Sequence, residues 1–296
     1  MQVGTAHGDD ARPKRLPASL AGTKDSEMLS LRYRGQTELP VEVEGIVPEA
    51  VRDQSIAAIE QLPIQFGNQS VPLAEFFHVE GDASDERIEW LGDLSGVHWI
   101  GAKMASGSMR VAGPAGRHAG SRMRGGSLVI EGDAGDWLGA ELRGGEIQVR
   151  GGAGHLVGAA YRGSPRGMNR GAILVHGAAG DEIGAGMRRG LIGIGGAAGD
   201  FVGVNMRAGT VLLAGPTGRR HGAGMRRGTL AFMNSRPALL PGFAAACRFR
   251  PDFLRVLLRQ LATTGFPVPD SWFASDYLLY SGDLVEGGRG EMLVRV

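Results

Sequence analysis

The stretch that decides the fold is GSRMRGGSLVIEGDAGDWLG, residues 120–139. It begins and ends on glycine, and the same glycine spacing recurs through the middle of the chain. The search for such a period comes first, because a missed repeat leads to the wrong fold. The unit is a 19-residue repeat with one 26-residue copy, and its first glycine stands at Gly101, Gly120, Gly139, Gly158, Gly184, Gly203 and Gly222.

Three further glycine columns share this period, and each unit carries alternating aliphatic residues between the second and third columns, as in SLVIE and EIQVR. That alternation predicts one short strand in every unit. Because a 19-residue unit is too short to bury its own apolar face, neighbouring units must stack. Methionine or leucine follows the first glycine by three positions and is predicted to line the interior, at Met104, Met123, Leu142, Met187, Met206 and Met225.

The expected fold class is therefore mainly β, a parallel (right-handed) β-helix solenoid of about seven 19-residue coils with small α/β caps at both ends. We expect a flexible extension over residues 1–28, an N-terminal α+β cap over 29–96, the glycine-rich β-helix over 97–234, and a C-terminal helix and strand cap over 235–296. Two amphipathic helices are predicted in these caps, at Pro48–Leu62 and Pro251–Leu261, the second with Phe253, Val256, Leu257 and Leu261 on its apolar face.

Composition excludes several classes of protein. The formal net charge is only +1, so no basic field indicates a nucleic-acid partner. No apolar run approaches the ~18 residues that a membrane span requires. Cys247 is the only cysteine, which excludes a disulfide framework and a cysteine-based zinc site. Because residues 1–25 contain no apolar leader, we expect a cytoplasmic protein.

The side chains that could carry chemistry do not converge on the repeat register. His98 and His155 share a phase but stand three units apart, about 14 Å at the strand spacing, so they cannot share one metal ion. Asp136, Asp181 and Asp200 also share a phase, and stacked carboxylates of this kind are predicted to cap a corner or pair with arginine rather than act as acid and base. We therefore expect no catalytic residue and no metal ligand in this chain.

Arginine forms the most suggestive column, one residue after the methionines. Stacking would place neighbouring members about 5 Å apart at Cα, where like charges repel unless an anion intervenes. We expect this column to face something acidic, either a carboxylate-rich surface of a partner or a polyglutamate tail, with a merely solvated stripe as the alternative. Its members are Arg124, Arg143, Arg188, Arg207 and Arg226.

The 26-residue unit contains an insertion, YRGSPRG at 161–167, which runs into Met168-Asn169-Arg170-Gly171. It interrupts a strict coil, so it is expected to bulge outward. Its residues are of types favoured at contact surfaces, which predicts a subunit-docking role, although a tolerated loop insertion is the alternative. The candidate docking residues are Tyr161, Arg162, Arg166, Asn169 and Arg170.

The pattern G-x-x-M-x-x-G-x-[ILV]-x-[ILV]-x-G-x-x-G resembles the glycine-rich β-helix at the C-terminus of the glutamate synthase large subunit. With the Y-R-G-x-x-R-G-M insertion, LAEFFHVEGD before the repeats and YSGDLVEGGRGEML near the end, it resembles more closely the C subunit of formylmethanofuran dehydrogenase. The resemblance covers roughly residues 29–296.

That resemblance implies a structural subunit of an enzyme complex in one-carbon metabolism. The expected complex is the bacterial formyltransferase/hydrolase, whose other members would be the amidohydrolase-like A, the B and the formyltransferase D subunits. It would use tetrahydromethanopterin and a methanofuran analogue with a polyglutamate tail, with no cofactor bound covalently to this chain. Three alternatives stay open: the C subunit of a tungsten or molybdenum formylmethanofuran dehydrogenase, a stand-alone glutamate-synthase-like domain, and a polysaccharide-binding β-helix.

Overall fold

The computed structural model describes residues 28–296, so nearly all of the predicted extension over residues 1–28 lies outside the described residues. Two short 3₁₀ helices lie at Leu73–Glu75 and Leu284–Glu286. The helices are α1 (Pro48–Val51), α2 (Ile56–Glu60), α3 (Asp252–Thr263) and α4 (Ser271–Ala274). The strands are β1 (Leu29–Tyr33), β2 (Val41–Glu42), β3 (Pro63–Phe66), β4 (Gln69–Pro72), β5 (Phe77–Glu80), β6 (Arg87–Leu91), β7 (Val97–His98), β8 (Ser108–Val111), β9 (Ser127–Ile130), β10 (Glu146–Val149), β11 (Ala172–Val175), β12 (Leu191–Ile194), β13 (Thr210–Leu213), β14 (Arg227–Phe232), β15 (Ala244–Phe249), β16 (Tyr277–Gly282) and β17 (Arg289–Arg295).

The chain is mainly β, and most of its strands belong to one large, mostly parallel sheet. Its thirteen strands run in the order β15-β16-β17-β14-β13-β12-β11-β10-β9-β8-β6-β1-β5. From β8 to β14 the order follows the chain, and each strand pairs in parallel with the strand one repeat earlier, as Ile147 does with Leu128. A smaller sheet, β4-β3-β2-β7, lies in the N-terminal region. The predicted strand in every repeat is thereby confirmed.

A second ladder of parallel bridges runs beside the main sheet. It joins Ala115 to Ala134 and continues one residue per repeat to Thr217. A third set of contacts follows the first glycine column, where the N–H of Gly139 donates to the carbonyl of Ala119 at 2.8 Å. Each repeat therefore forms backbone hydrogen bonds with the preceding one at several positions, all in the same register, as the 19-residue period requires.

Aliphatic side chains at the second and fourth strand positions, such as Ile147 and Val149, are fully buried between these ladders. The predicted methionine ladder is confirmed, because every member of it is fully buried. In the long repeat the ladder position is taken by Met168, also fully buried. The interior is thus filled by strand aliphatics and unbranched thioethers, which adapt to irregular gaps.

The glycine columns have two different physical causes. Glycines of the first and second columns, such as Gly120 and Gly126, adopt positive φ, which suits a residue without Cβ. Third-column glycines do not have positive φ, but a Cβ on Gly196 would lie 2.6 Å from backbone atoms of Gly177 and Ala178. Glycine is required in the third column because the backbone of the preceding repeat lies too close to leave room for a Cβ. Asn234 replaces glycine at the end of this column, and it does not have positive φ either.

The two helix predictions for the caps need correction. Pro48–Leu62 is not one helix: α1 ends at Val51, and Ser55 begins α2 by accepting a hydrogen bond from the N–H of Ala58. In α3 the predicted apolar face is wrong at Phe253 and Val256, which are 47 % and 65 % exposed, whereas Leu261 is buried as predicted.

The buried face of α3 consists of Leu254, Leu258 and Leu261. These leucines share a cluster with Leu212 and Met233 on the outer face of the last repeat strands. Burial of that outer face explains why the C-terminal strands are apolar on both sides.

Candidate functional site

The shared aspartate phase serves the backbone, as the sequence predicts. Oδ1 of Asp136 accepts a hydrogen bond from the N–H of His155 at 2.8 Å, and Oδ1 of Asp181 accepts from the N–H of Asp200 at 2.7 Å. Asp200 in turn accepts from the backbone and side chain of Arg219, which lowers the pKa of its carboxyl. These carboxylates therefore cap corners between neighbouring repeats.

The described residues contain no group of three or more His, Cys, Asp or Glu side chains that could hold a metal ion. The histidines have local partners instead. Nε2 of His176 contacts the Arg150 guanidinium at 3.0 Å, and His221 lies against the carbonyl of Gly218. Burial lowers the pKa of both imidazoles, so both are neutral at pH 7.

The insertion occupies residues 161–167, after which the chain returns to the repeat. The N–H of Asn169 donates to the carbonyl of Leu142 at 2.7 Å, the bond that Arg143 makes to Met123 one repeat earlier. Asn169 therefore stands in the arginine column, and Arg170 follows it in the regular repeat. Of the candidate docking residues, only Tyr161, Arg162 and Arg166 belong to the inserted loop.

Tyr161 does not bulge outward but folds back over the earlier repeats. Its ring stacks on Trp137 with 4.8 Å between centroids, and the Arg122 guanidinium lies 5.1 Å from the ring centre. The Trp99 and His118 rings stack at 4.1 Å beside it. The expectation of an outward bulge is wrong for Tyr161, because an aromatic cluster on the preceding repeats receives its ring. Arg162 and Arg166 are exposed.

A directed chain of hydrogen bonds holds the Tyr161 phenol. Its O–H donates to Oγ of Ser121 at 2.9 Å, and Ser121 donates to the carbonyl of Trp137 at 3.2 Å. The phenol oxygen therefore accepts from Nδ1 of His118, also at 2.9 Å. Burial, reinforced by the neighbouring His98 and Arg117, lowers the pKa of His118 to about 4. Burial also raises the pKa of Tyr161, so both rings are neutral at pH 7.

Arg188, Arg207 and Arg226 lie on consecutive repeats, since the N–H of Arg207 donates to the carbonyl of Met187 and that of Arg226 to the carbonyl of Met206. Asn169 separates these three from Arg124 and Arg143. Its members differ in their partners. Arg226 pairs with Glu286 at 2.7 Å, and Arg143 lies 4.0 Å from Glu141. The remaining three have no ion pair with any described residue, namely Arg124, Arg188 and Arg207.

The insertion and the arginine column meet in one groove of about 550 Å³. The loop forms one wall, Arg207 and Arg226 line the groove on the column side, and Glu286 also borders it. Phe201 and Val204 supply apolar surface. The groove is not lined by the other members of the column, Arg124, Arg143 and Arg188. Its volume suits a small ligand or a short stretch of chain.

Sequence reasoning missed the aromatic cluster that receives the insertion. Trp99, His118 and Trp137 stand two residues before successive first glycines, and all have positive φ. Bulky residues rarely adopt this conformation. The repeat period by itself therefore gave no reason to expect a cluster of aromatic rings at this position. A signal was present, because three aromatic rings at one phase in consecutive repeats can stack on each other.

No family model matches the chain. Over 94 residues it is 38 % identical to the C subunit of the tungsten-containing formylmethanofuran dehydrogenase 2 of Methanothermobacter marburgensis, covering 30 % of this chain and 35 % of that protein. Over 108 residues it is 34 % identical to the C subunit of the molybdenum-containing formylmethanofuran dehydrogenase 1 of Methanosarcina barkeri, covering 34 % of this chain and 36 % of that protein. The matched segment thus spans about a third of the length of these curated relatives.

A solved structure is similar over nearly its whole length. It is a chain from the crystal structure of the formyltransferase/hydrolase complex (FhcABCD) of Methylorubrum extorquens with methylofuran. The TM-score is 0.83 at 32 % identity, covering 90 % of this chain and 99 % of that one.

The fold is that of a glycine-repeat protein built on a long, mostly parallel sheet. The chain belongs to the C-subunit family of formylmethanofuran dehydrogenase. Within residues 28–296, none of the helices is both long and apolar enough to cross a membrane.

Proposed function

We propose that this chain is the noncatalytic structural C subunit of a cytoplasmic formyltransferase/hydrolase complex. The complex would transfer the formyl group of formyl-tetrahydromethanopterin to a methanofuran analogue and hydrolyse it to formate. The observation that carries this proposal is the 0.83 TM-score over 99 % of a chain from such a complex. The use of the aspartates and histidines in backbone and packing contacts supports the noncatalytic role.

The test is purification of the tagged full-length chain from its own cells, followed by mass spectrometry and metal analysis. We expect co-purification with the amidohydrolase-like A, the B and the formyltransferase D subunits, without molybdopterin or iron–sulfur clusters. Recovery of the chain as a free monomer would contradict the proposal.

A second candidate function is that of the C subunit in a redox formylmethanofuran dehydrogenase, favoured by the names of the curated relatives. Tungsten or molybdenum in the purified complex would support this candidate and overturn the first. Independent glycan binding by a monomer would instead favour the polysaccharide-binding alternative.

For the architecture, we propose that the repeats wind as a right-handed β-helix over residues 97–234. Two sets of parallel pairs support a coiled winding, because both the main sheet and the bridges from Ala115 to Thr217 advance by one repeat per step. We propose residues 29–96 and 235–296 as its caps. Buried Trp90 at one end and the α3 leucines at the other support the capping role.

For the surfaces, we propose that the arginine column and the inserted loop contact partners or the polyglutamate tail of the methanofuran analogue. Three arginines without a carboxylate partner among the described residues support an anionic counterpart. Charge reversal of Arg188 and Arg207 together should weaken assembly or cofactor retention. The matched control reverses Arg189 and Arg227, which stand one residue beyond column positions of the same surface. Unchanged assembly and cofactor content in the first variant would exclude this role.

A further inference from the structure

The two arginines that line the groove beside the inserted loop differ in their ion-pair partners. Nε of Arg226 donates to Oε2 of Glu286 at 2.7 Å, whereas Arg207 has no ion pair with a described residue. Arg220 adds a third cation at this end, with its guanidinium 5.5 Å from the centre of the Phe201 ring. Glu182 is the other acid that lines the groove. The two arginines and two glutamates of the lining balance in charge, but Arg207 forms no ion pair with either glutamate and its guanidinium can receive another carboxylate.

Two repeats carry glycine at the groove, at a position where the first three repeats carry long side chains. Two residues after the first glycine, the first three repeats have Lys103, Arg122 and Glu141. The corresponding positions in the fifth and seventh repeats are Gly186 and Gly224, and both line the groove. A side chain there would meet the inserted repeat or Asn205, since a Cβ on Gly224 would lie 2.6 Å from Oδ1 of Asn205.

Glu286 is the carboxylate that pairs with Arg226 in the groove. It comes from the short 3₁₀ helix Leu284–Glu286, 60 residues beyond Arg226, and it is not part of the repeat. The pair is substantially exposed, at 57 % and 33 % of the two side chains, so a ligand can exchange with it. Exposed pairs of this kind are weak.

We propose that the groove binds an extended chain bearing several carboxylates, with one carboxylate on Arg207 and the next replacing Glu286 on Arg226. Arg207 and Arg226 occupy the same phase of adjacent repeats, about 4.8 Å apart at the backbone. Their flexible side chains can therefore engage neighbouring carboxylates of one chain, and guanidinium groups bind carboxylates with paired hydrogen bonds. Phe201 and Val204 offer apolar contact to the methylene groups between the charges.

This inference rests on the proposed function, because it names the ligand class for one part of the arginine column. The same chemistry could come from an acidic segment of a partner protein or from a glutamyl-tailed cofactor. An α-linked hexaglutamate stands for the first source, and a γ-linked hexaglutamate stands for the second. Hexaglutamine, which lacks the charges, is the negative probe.

The experiment measures the affinity of the fluorescently labelled probes for the full-length chain by anisotropy at fixed low salt. Arg207→Gln should weaken binding about tenfold, the change expected on losing a charge-assisted hydrogen bond. Glu286→Gln should tighten binding about two- to fivefold, since it removes a competing carboxylate. Arg189→Gln, with the same charge change outside the groove, should leave the affinity unchanged.

Preference for one hexaglutamate over the other identifies the source and supports the proposal. Equal weakening by Arg207→Gln and Arg189→Gln would overturn it, because binding would then follow overall charge. Weaker binding in Glu286→Gln would also overturn it. Assembly of the complex is measured separately. Intact assembly without hexaglutamate binding would refute only the proposal that the groove binds a carboxylate chain. A chain that assembles with no partner would refute the proposed function.

Discussion

Replacement of Gly196 by alanine tests the physical reason for the third glycine column. The residue does not have positive φ, so alanine is compatible with its backbone conformation. The added Cβ, however, would lie 2.6 Å from backbone atoms of Gly177 and Ala178, well inside the ordinary contact distance of 3.4 Å. The two repeats would have to move apart at a position where the N–H of Gly196 donates to the carbonyl of Gly177 at 2.8 Å.

The magnitude follows from two contributions. Overpacking of this kind costs about 1–3 kcal/mol, and loss of the inter-repeat hydrogen bond costs about 1 kcal/mol. We therefore expect Gly196→Ala to lower the free energy of unfolding by about 2–4 kcal/mol. The matched control is Gly163→Ala in the inserted loop, where φ is +80° and no other atom lies within 4 Å of the new Cβ. That control has only the conformational penalty of positive φ, about 1–2 kcal/mol.

Urea-induced unfolding of the two variants, followed by circular dichroism, measures the difference. We expect a clearly lower midpoint for Gly196→Ala than for Gly163→Ala. If the two variants were equally stable, or if Gly196→Ala matched the parent protein, close backbone approach would not be the reason for this column.

Three further predictions concern the interior and the aromatic cluster. Met187→Ala should lower the free energy of unfolding by about 2–5 kcal/mol, since it removes a fully buried side chain; stability like that of the parent in urea would contradict the ladder. Tyr161→Phe should lower it by about 1–2 kcal/mol, because the phenol links His118 and Ser121, and an unchanged melting curve would exclude that link. Because the pKa of His118 falls from 6.5 unfolded to about 4 folded, its contribution to stability is complete above pH 6.5 and is lost as the pH falls towards 4. His118→Gln should therefore lose less unfolding free energy than the parent protein between pH 6.5 and pH 4. The same pH dependence in both proteins would contradict the lowered pKa of His118.

The repeat could be predicted from the sequence because its period fixes several structural features at once. A 19-residue spacing determines which residues pair between units, so the strands, the parallel register and the buried methionines all follow from one observation. The inserted residues could be delimited for the same reason, since Met168 restores the phase of the ladder.

Features outside the period could not be predicted in this way. Tyr161 folds back because rings at one phase of three earlier repeats are arranged to receive it, and that arrangement depends on unusual backbone angles at bulky residues. Glu286 reaches Arg226 across 60 residues of chain, a contact that no local pattern encodes. In α3, Phe253 and Val256 match a helical apolar pattern, but the surface that α3 covers contacts Leu254 and Leu258 instead.

Reconstitution of the complex with and without this chain tests the central claim most directly. The measured quantity is the rate of formate release from formyl-tetrahydromethanopterin by the purified catalytic partners and the methanofuran analogue. We predict no turnover by this chain alone, and a rate with all subunits that falls sharply when this chain is left out. Turnover by the isolated chain, or a full rate in its absence, would contradict its role as a noncatalytic structural subunit.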